Sequence, residues 1–108
     1  MEKLETIRTN RGCAKYYRLD RQADPREFLE DLTAMGWTFD RVFLRRDAEL
    51  DMQSDMGFYA PADLPSPDGT PRLYTITAHR NGKSGEIRFS DDSNVVYLVT
   101  KDEELELN

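Results

Sequence analysis

The chain has 108 residues, 38% hydrophobic and 33% charged, and its 21 acidic against 15 basic side chains give a formal net charge of −6. This length and composition fit one globular domain with a single core and exclude a fully disordered chain. No apolar run approaches the 18 residues of a membrane helix, and Met1–Glu5 is not the hydrophobic stretch of a secretory signal, so we expect a cytoplasmic protein without membrane contacts.

The first segment of the chain predicts a β-hairpin. The stretches Leu4–Thr9 and Cys13–Leu19 flank the turn residues Asn10-Arg11-Gly12. A short helical turn over the first stretch is the alternative, because neither hydrophobic period is clean there. On a strand, Tyr16 and Tyr17 point to opposite faces, one inward and one outward.

The same segment interleaves basic and aromatic side chains, the composition with which proteins bind single-stranded nucleic acid through phosphate contacts and base stacking. These side chains are Arg8, Arg11, Lys15, Tyr16, Tyr17, Arg18 and Arg21. An isoelectric point of about 4.7 opposes long-range attraction to a polyanion. Direct nucleic-acid binding by this segment is therefore kept only as an alternative function. A structural role for Tyr16 and Tyr17 is favoured.

A helix is predicted to begin at Asp24-Pro25, because Asp24 can cap free N–H groups, proline suits the first helical position and Glu27 stands at the capping-box position. Gly36 predicts its end in a left-handed cap, with Trp37 packing back on the last turn. The segment from Trp37 to Arg45 is rich in aromatic and branched residues and predicts a strand. The apolar stripe of the helix consists of Phe28, Leu29, Leu32 and Met35.

A long acidic loop is predicted at 47–71, which holds four of the five prolines, six carboxylates and neither lysine nor arginine. Three of its aspartates are four residues apart, a spacing that would align like charges and favour a cation or a basic partner. The spacing does not match a calcium loop and no histidine is near, so we expect no metal site. The predicted partner-binding residues are Asp47, Glu49, Asp51, Asp55, Phe58 and Tyr59. A surface loop whose aromatics extend the core is the simpler alternative.

The C-terminal half predicts a three-stranded antiparallel meander. Asn81-Gly82 indicates a two-residue hairpin turn. That turn would pair Ile76 with Ile87 and Tyr74 with Phe89, and the next turn would pair Ile87 with Leu98, so all apolar partners share one face. The remaining stretch, 101–108, is predicted to be an acidic tail.

The second face of this sheet is a secondary candidate interaction surface, carried by Arg88, Val95, Tyr97 and Val99. If it is open, it suits a protein partner or the mate of a homodimer. Coverage by the N-terminal hairpin or by the acidic loop is the favoured interpretation.

The sequence contains few residues that could form a known type of catalytic site. Cys13 is the only cysteine and His79 the only histidine, so neither an internal disulfide nor a cysteine cluster that holds zinc can form. The glycines stand at turns and form no phosphate-binding loop. We therefore predict no catalytic residues, no metal and no cofactor.

The sequence thus predicts a single α+β domain over 1–108, with an antiparallel sheet of four to six strands packed on one principal helix. It carries no motif of a known family. The charge layout favours a non-enzymatic acidic inhibitor that engages a basic, for example nucleic-acid-binding, protein surface, like the anti-CRISPR proteins and other inhibitors that phages and mobile elements encode. An immunity protein or antitoxin is the alternative in the same class.

Overall fold

The computed structural model describes residues 1–45, 73–90 and 93–108, which form six strands and one helix. The elements are β1 Glu2–Thr9, β2 Gly12–Arg18, α1 Pro25–Ala34, β3 Thr38–Arg45, β4 Leu73–Arg80, β5 Lys83–Ser90 and β6 Val95–Thr100. The strands make one sheet in the order β1-β2-β6-β5-β4-β3, and all neighbours are antiparallel. One antiparallel sheet of six strands with one helix is consistent with the predicted α+β class, although strands make up most of the fold. The predicted loop at 47–71 lies outside the described residues.

The N-terminal segment is a hairpin, and the alternative of a helical turn is wrong. Its two strands join through Asn10 and Arg11 and lie in the plane of the sheet, where Tyr16 on β2 pairs with Tyr97 on β6. Coverage of the second sheet face by this hairpin is therefore also wrong, whereas coverage by the acidic loop lies outside the described residues. A strand that pairs its backbone with β6 extends the sheet and does not lie across its face.

Both predicted ends of the helix are confirmed. The Asp24 side chain accepts a hydrogen bond from the backbone N–H of Glu27 at 3.2 Å. At the other end Gly36 has a φ of +95°, and Trp37 donates its backbone N–H to the carbonyl of Leu32 at 3.1 Å, as a Schellman cap requires. The Glu27 carboxylate bonds to Arg21 and does not turn back toward the cap.

The turn between β4 and β5 sets the register of the C-terminal strands. Asn81 and Gly82 have φ values of 55° and 79°, the left-handed pair that a type I′ turn needs. The structure pairs Tyr74 with Phe89, Ile76 with Ile87 and Ile87 with Leu98, as the turn geometry predicts.

The core lies between one face of the sheet, α1 and the C-terminal residues. The ring of Phe89 stacks on Tyr74 at 4.8 Å, and the Phe28 ring of the helix meets it edge-on at 4.9 Å. Leu105 and Leu107, which follow the last strand, are 3% and 0% exposed. Each fully buried side chain of this size contributes roughly 1.5–3 kcal/mol through the hydrophobic effect. The C-terminal residues are thus part of the core and close one side of it.

Candidate functional site

The predicted partner-binding residues lie outside the described residues, and the structure shows the strand ends that flank them. These residues are Asp47, Glu49, Asp51, Asp55, Phe58 and Tyr59. The segment 46–72 connects β3 to β4, and 91–92 connects β5 to β6. Arg45 pairs with Leu73, and Leu73 pairs with Ser90. Both segments therefore join the sheet at the same end.

The charge of the described fold is balanced. Residues 1–45, 73–90 and 93–108 hold 13 basic and 13 acidic side chains, which leaves 2 basic and 8 acidic side chains for 46–72 and 91–92. At least six of the described carboxylates form ion pairs with lysine or arginine of the same chain. The entire net charge of −6 therefore belongs to the two segments that join one end of the sheet.

The C-terminal segment 101–108 departs from the expectation of a solvated acidic tail. Glu103 pairs with Arg8 at 3.2 Å, Glu104 with Lys83 at 2.9 Å and Glu106 with Lys3 at 2.9 Å. These carboxylates are neutralised by the fold, because the leucines between them are buried in the core and hold the segment against the sheet. They contribute nothing to an acidic surface kept for a partner.

A buried cation anchors this segment, which the sequence did not predict. Lys15 is 2% exposed, and its ammonium group donates to the carbonyls of Glu103 and Leu105 and to the carboxylate of Glu106. Tyr17 donates its hydroxyl to the same carboxylate at 2.5 Å and accepts the backbone N–H of Leu107 at 3.1 Å. The alternation of Cys13, Lys15 and Tyr17 on one strand face was the available signal.

This network shifts the pKa values of two of its members. Burial opposes ionisation of Glu106, but the hydrogen bonds from Lys3, Tyr17 and Lys15 together lower its pKa to about 2. Burial, followed by the hydrogen bond to that carboxylate, raises the pKa of Tyr17 to about 12. At physiological pH, Glu106 is therefore an ionised carboxylate and Tyr17 a neutral phenol.

The same segment is also held from the helix side of the core. The indole N–H of Trp37 donates to the Leu107 carbonyl at 2.8 Å. The guanidinium of Arg80 lies 4.7 Å from the Trp37 ring and donates to the carbonyls of Glu106 and Leu107. Side chains from distant parts of the sequence thus satisfy the backbone carbonyls of the C-terminal residues. Lys15, Tyr17, Trp37, Arg80 and Glu106 consequently serve the fold.

The secondary candidate residues are brought together on the sheet face opposite the helix. Arg88 is opposite Tyr97, which is opposite Tyr16 on the next strand, and the two tyrosine rings stack at 5.2 Å. The Arg88 guanidinium lies 5.9 Å from the Tyr97 ring and pairs with Glu86 at 2.6 Å. Val95 and Val99, on the same strand as Tyr97, are half-buried beside it. This face places two aromatic rings beside a paired arginine, and Tyr16 is the member that the predicted set lacked.

The basic and aromatic N-terminal cluster is divided between the two faces of the sheet. Lys15 and Tyr17 are buried under the C-terminal segment, whereas Tyr16 and Arg18 belong to the other face. The arginines Arg8, Arg18 and Arg21 form ion pairs with Glu103, Glu2 and Glu27. The expected inward and outward placement of the two tyrosines is confirmed.

Cys13 and His79 lie on different strands with two others between them. Three strand spacings separate β2 from β4, which is about 14 Å. The imidazole of His79 is 43% exposed and contacts Asp40 at 3.1 Å, while Cys13 is buried. A cavity of about 970 Å³ at the turn end of the sheet is lined by Cys13 and Lys83 among others, but not by His79. The described residues contain no group of three histidine, cysteine or carboxylate side chains that could hold a metal.

The described part of the chain has a single helix of ten residues, and no helix there is long and apolar enough to span a bilayer. Comparison with protein families, curated proteins and solved structures found no match to this chain.

Proposed function

We propose that this chain is a non-enzymatic, cytoplasmic binding protein that engages a basic surface of another protein, as an inhibitor of the class that phages and mobile elements encode. The observation that carries the proposal is the distribution of charge. The described fold is neutral, and the excess of six negative charges belongs to 46–72 and 91–92. The charges of the described fold thus balance one another, and we propose that the excess carboxylates of the two segments serve a partner.

The physical advantage of this arrangement lies in association. Carboxylates without counter-ions attract a positive surface over about a Debye length, roughly 8 Å at physiological salt, and so raise the association rate constant with a basic partner. They also disfavour negatively charged competitors. The neutral sheet supplies a scaffold whose own ion pairs do not compete for the partner.

Within the acidic segment we assign two roles. The carboxylates of Asp47, Glu49, Asp51 and Asp55 supply the electrostatic complementarity, and the aromatic side chains of Phe58 and Tyr59 supply apolar anchor area, because aromatic residues are enriched at the centres of interfaces. An immunity protein or antitoxin would use the same two components against a basic toxin.

Charge reversal tests this proposal. The variant Asp47→Lys/Asp51→Lys/Asp55→Lys should lose salt-sensitive capture of partners from the native host, measured by mass spectrometry at low and high salt, with little change in melting temperature. The matched control reverses three exposed carboxylates of the described fold, Asp20→Lys/Glu30→Lys/Asp31→Lys, and changes the net charge equally. Equal capture by both variants would contradict the proposal, since only total charge would then matter.

A second candidate function is favoured by the stacked pair of Tyr16 and Tyr97. Two aromatic rings on the sheet face opposite the helix, with Arg88 over one of them, resemble the stacking platforms of single-stranded nucleic-acid-binding proteins. Under this hypothesis a low-salt gel shift of a single-stranded oligonucleotide should disappear in Tyr16→Ala/Tyr97→Ala. The absence of any shift with the unaltered protein would exclude it.

A further inference from the structure

The free edge of β1 carries exposed apolar side chains. Met1, Leu4 and Ile7 are 36%, 37% and 47% exposed, and they are the large apolar side chains that the described fold leaves exposed. β1 is the terminal strand of the sheet, with β2 on one side and no described strand on the other. Such an edge offers backbone hydrogen-bonding groups to an additional strand.

The charges along β1 are neutralised with one exception. Glu2 pairs with Arg18, Lys3 with Glu106 and Arg8 with Glu103. Glu5 has no ion-pair partner among the described residues. Within the part of the chain that the structure describes, β1 thus presents one carboxylate without an ion-pair partner, between the exposed side chains of Leu4 and Ile7.

The register places Glu5 and Ile7 on the sheet face that carries the stacked rings of Tyr16 and Tyr97. Glu5 is opposite Tyr16, and Ile7 is opposite Ala14, which is opposite Val99 on β6. A strand added to β1 would therefore extend two rows. An apolar residue opposite Ile7 would continue an apolar row, and a cation opposite Glu5 would lie beside an aromatic ring.

We propose that the β1 edge binds an extended segment of the partner, in which apolar and basic side chains alternate, by strand addition. Backbone hydrogen bonds would supply the affinity, and the positions opposite Glu5 and Ile7 the selectivity. The basic character of the segment rests on the proposed function and agrees with Glu5, the one charge of β1 that has no ion-pair partner among the described residues.

A second copy of the chain fits this edge less well. Beyond the irregularity between Lys3 and Glu5, the regular part of β1 is Glu5–Thr9, and a two-fold antiparallel pairing that includes Glu5 there can be centred on Glu5, Thr6 or Ile7. These registers place Glu5 opposite another Glu5, opposite Ile7 or opposite Thr9, so none provides a cation. Two Glu5 side chains directly opposite each other would repel and destabilise the strand pair. In the other two registers Glu5 would have no cation opposite it, so its charge would not stabilise the dimer.

The experiment uses two synthetic eight-residue peptides, one alternating valine with lysine and one alternating valine with glutamate. Backbone amide shifts of the ¹⁵N-labelled full chain locate the binding. The lysine peptide should shift the β1 amides in a saturable way, and a version with a central proline, which cannot complete the ladder, should not. Glu5→Lys should weaken this binding about two- to tenfold, whereas the control Glu30→Lys on the exposed face of α1 should leave it unchanged.

Shifts located away from β1, equal binding to Glu5→Lys, or no saturable shift at millimolar peptide would each overturn the inference. Concentration-dependent β1 shifts without peptide would identify a second copy as the occupant and overturn it as well. The peptide measurement, repeated with Asp47→Lys/Asp51→Lys/Asp55→Lys, separates the two proposals. If β1 fails to bind but the host partner is still captured through the acidic segment, only the strand-addition inference fails.

Discussion

Removal of the Glu106 carboxylate should destabilise the protein far more than removal of the carboxylate two residues earlier. Glu106 is the acidic partner of the buried Lys15 at 3.1 Å, and it also accepts the Tyr17 hydroxyl. Glu104 pairs with Lys83, and its own side chain is 83% exposed. The variants Glu106→Ala and Glu104→Ala therefore compare a carboxylate that serves the core with one at the surface.

The structure gives the magnitude of each effect. Breaking a buried ion pair costs about 3–5 kcal/mol, because the remaining charge is left without compensation. The Glu106 side chain is 38% exposed, and Lys15 keeps two carbonyl acceptors, so water and these bonds offset about half of that cost. We expect Glu106→Ala to lower the free energy of unfolding by about 2 kcal/mol. An exposed pair such as Glu104 with Lys83 contributes far less, because water screens the attraction between its two charges.

Urea unfolding followed by tryptophan fluorescence measures both values. Trp37 is the only tryptophan, it is 3% exposed and it bonds to the Leu107 carbonyl, so its emission reports on the C-terminal segment directly. Equal destabilisation by the two variants would refute the reasoning, since it would mean that the buried lysine does not depend on Glu106.

Two further predictions follow from the same network and from a close backbone approach. Folding lowers the pKa of Glu106 from 4.5 to about 2, so the ionised carboxylate stabilises the fold fully above pH 4.5 and this stabilisation is lost as the pH falls through 2. In Glu106→Gln the free energy of unfolding should therefore fall less between pH 4.5 and pH 2 than in the unaltered protein. An unchanged pH dependence in that range would contradict the role given to Glu106. Gly12→Ala should cost about 2 kcal/mol or more in chemical denaturation, because φ is +140° there and the new Cβ would lie 2.5 Å from the Thr100 carbonyl oxygen. Gly82→Ala, at a φ of +79° with open space around it, should cost about 1 kcal/mol, and a larger loss than for Gly12→Ala would refute the steric argument.

The features that the sequence predicted correctly are local ones. A helix cap at Asp24, a Schellman cap at Gly36 and a hairpin turn at Asn81-Gly82 each depend on a few adjacent residues whose backbone preferences agree. Register then follows from the turn, because counting outward from two residues fixes every pair.

The features that the sequence did not predict depend on contacts between distant residues. Lys15 meets the Leu105 carbonyl across 90 residues, and Trp37 meets Leu107 across 70. A run of four carboxylates in the last seven residues has the composition of a solvated tail, and only the alternation of Leu105 and Leu107 around Glu106 indicated burial. The pairing of β2 with β6 is equally non-local, so the placement of the hairpin within the sheet had no short-range signal.

The candidate site shows the same division. The sheet face of Arg88, Val95, Tyr97 and Val99 was assembled correctly because strand alternation places them together. The partner-binding role of the acidic segment stays a prediction, and the structure contributes the charge balance of the fold to which it is joined.

The central claim is that the excess negative charge of 46–72 and 91–92 serves a basic partner. The most direct test is the affinity of a purified partner, captured from the native host, measured by calorimetry at about 50 mM and about 500 mM salt, where screening differs most. The account predicts that affinity falls steeply with salt for the unaltered chain and for Asp20→Lys/Glu30→Lys/Asp31→Lys, and that Asp47→Lys/Asp51→Lys/Asp55→Lys binds weakly at both. Salt-independent binding, or equal affinity of the two triple variants, would contradict it.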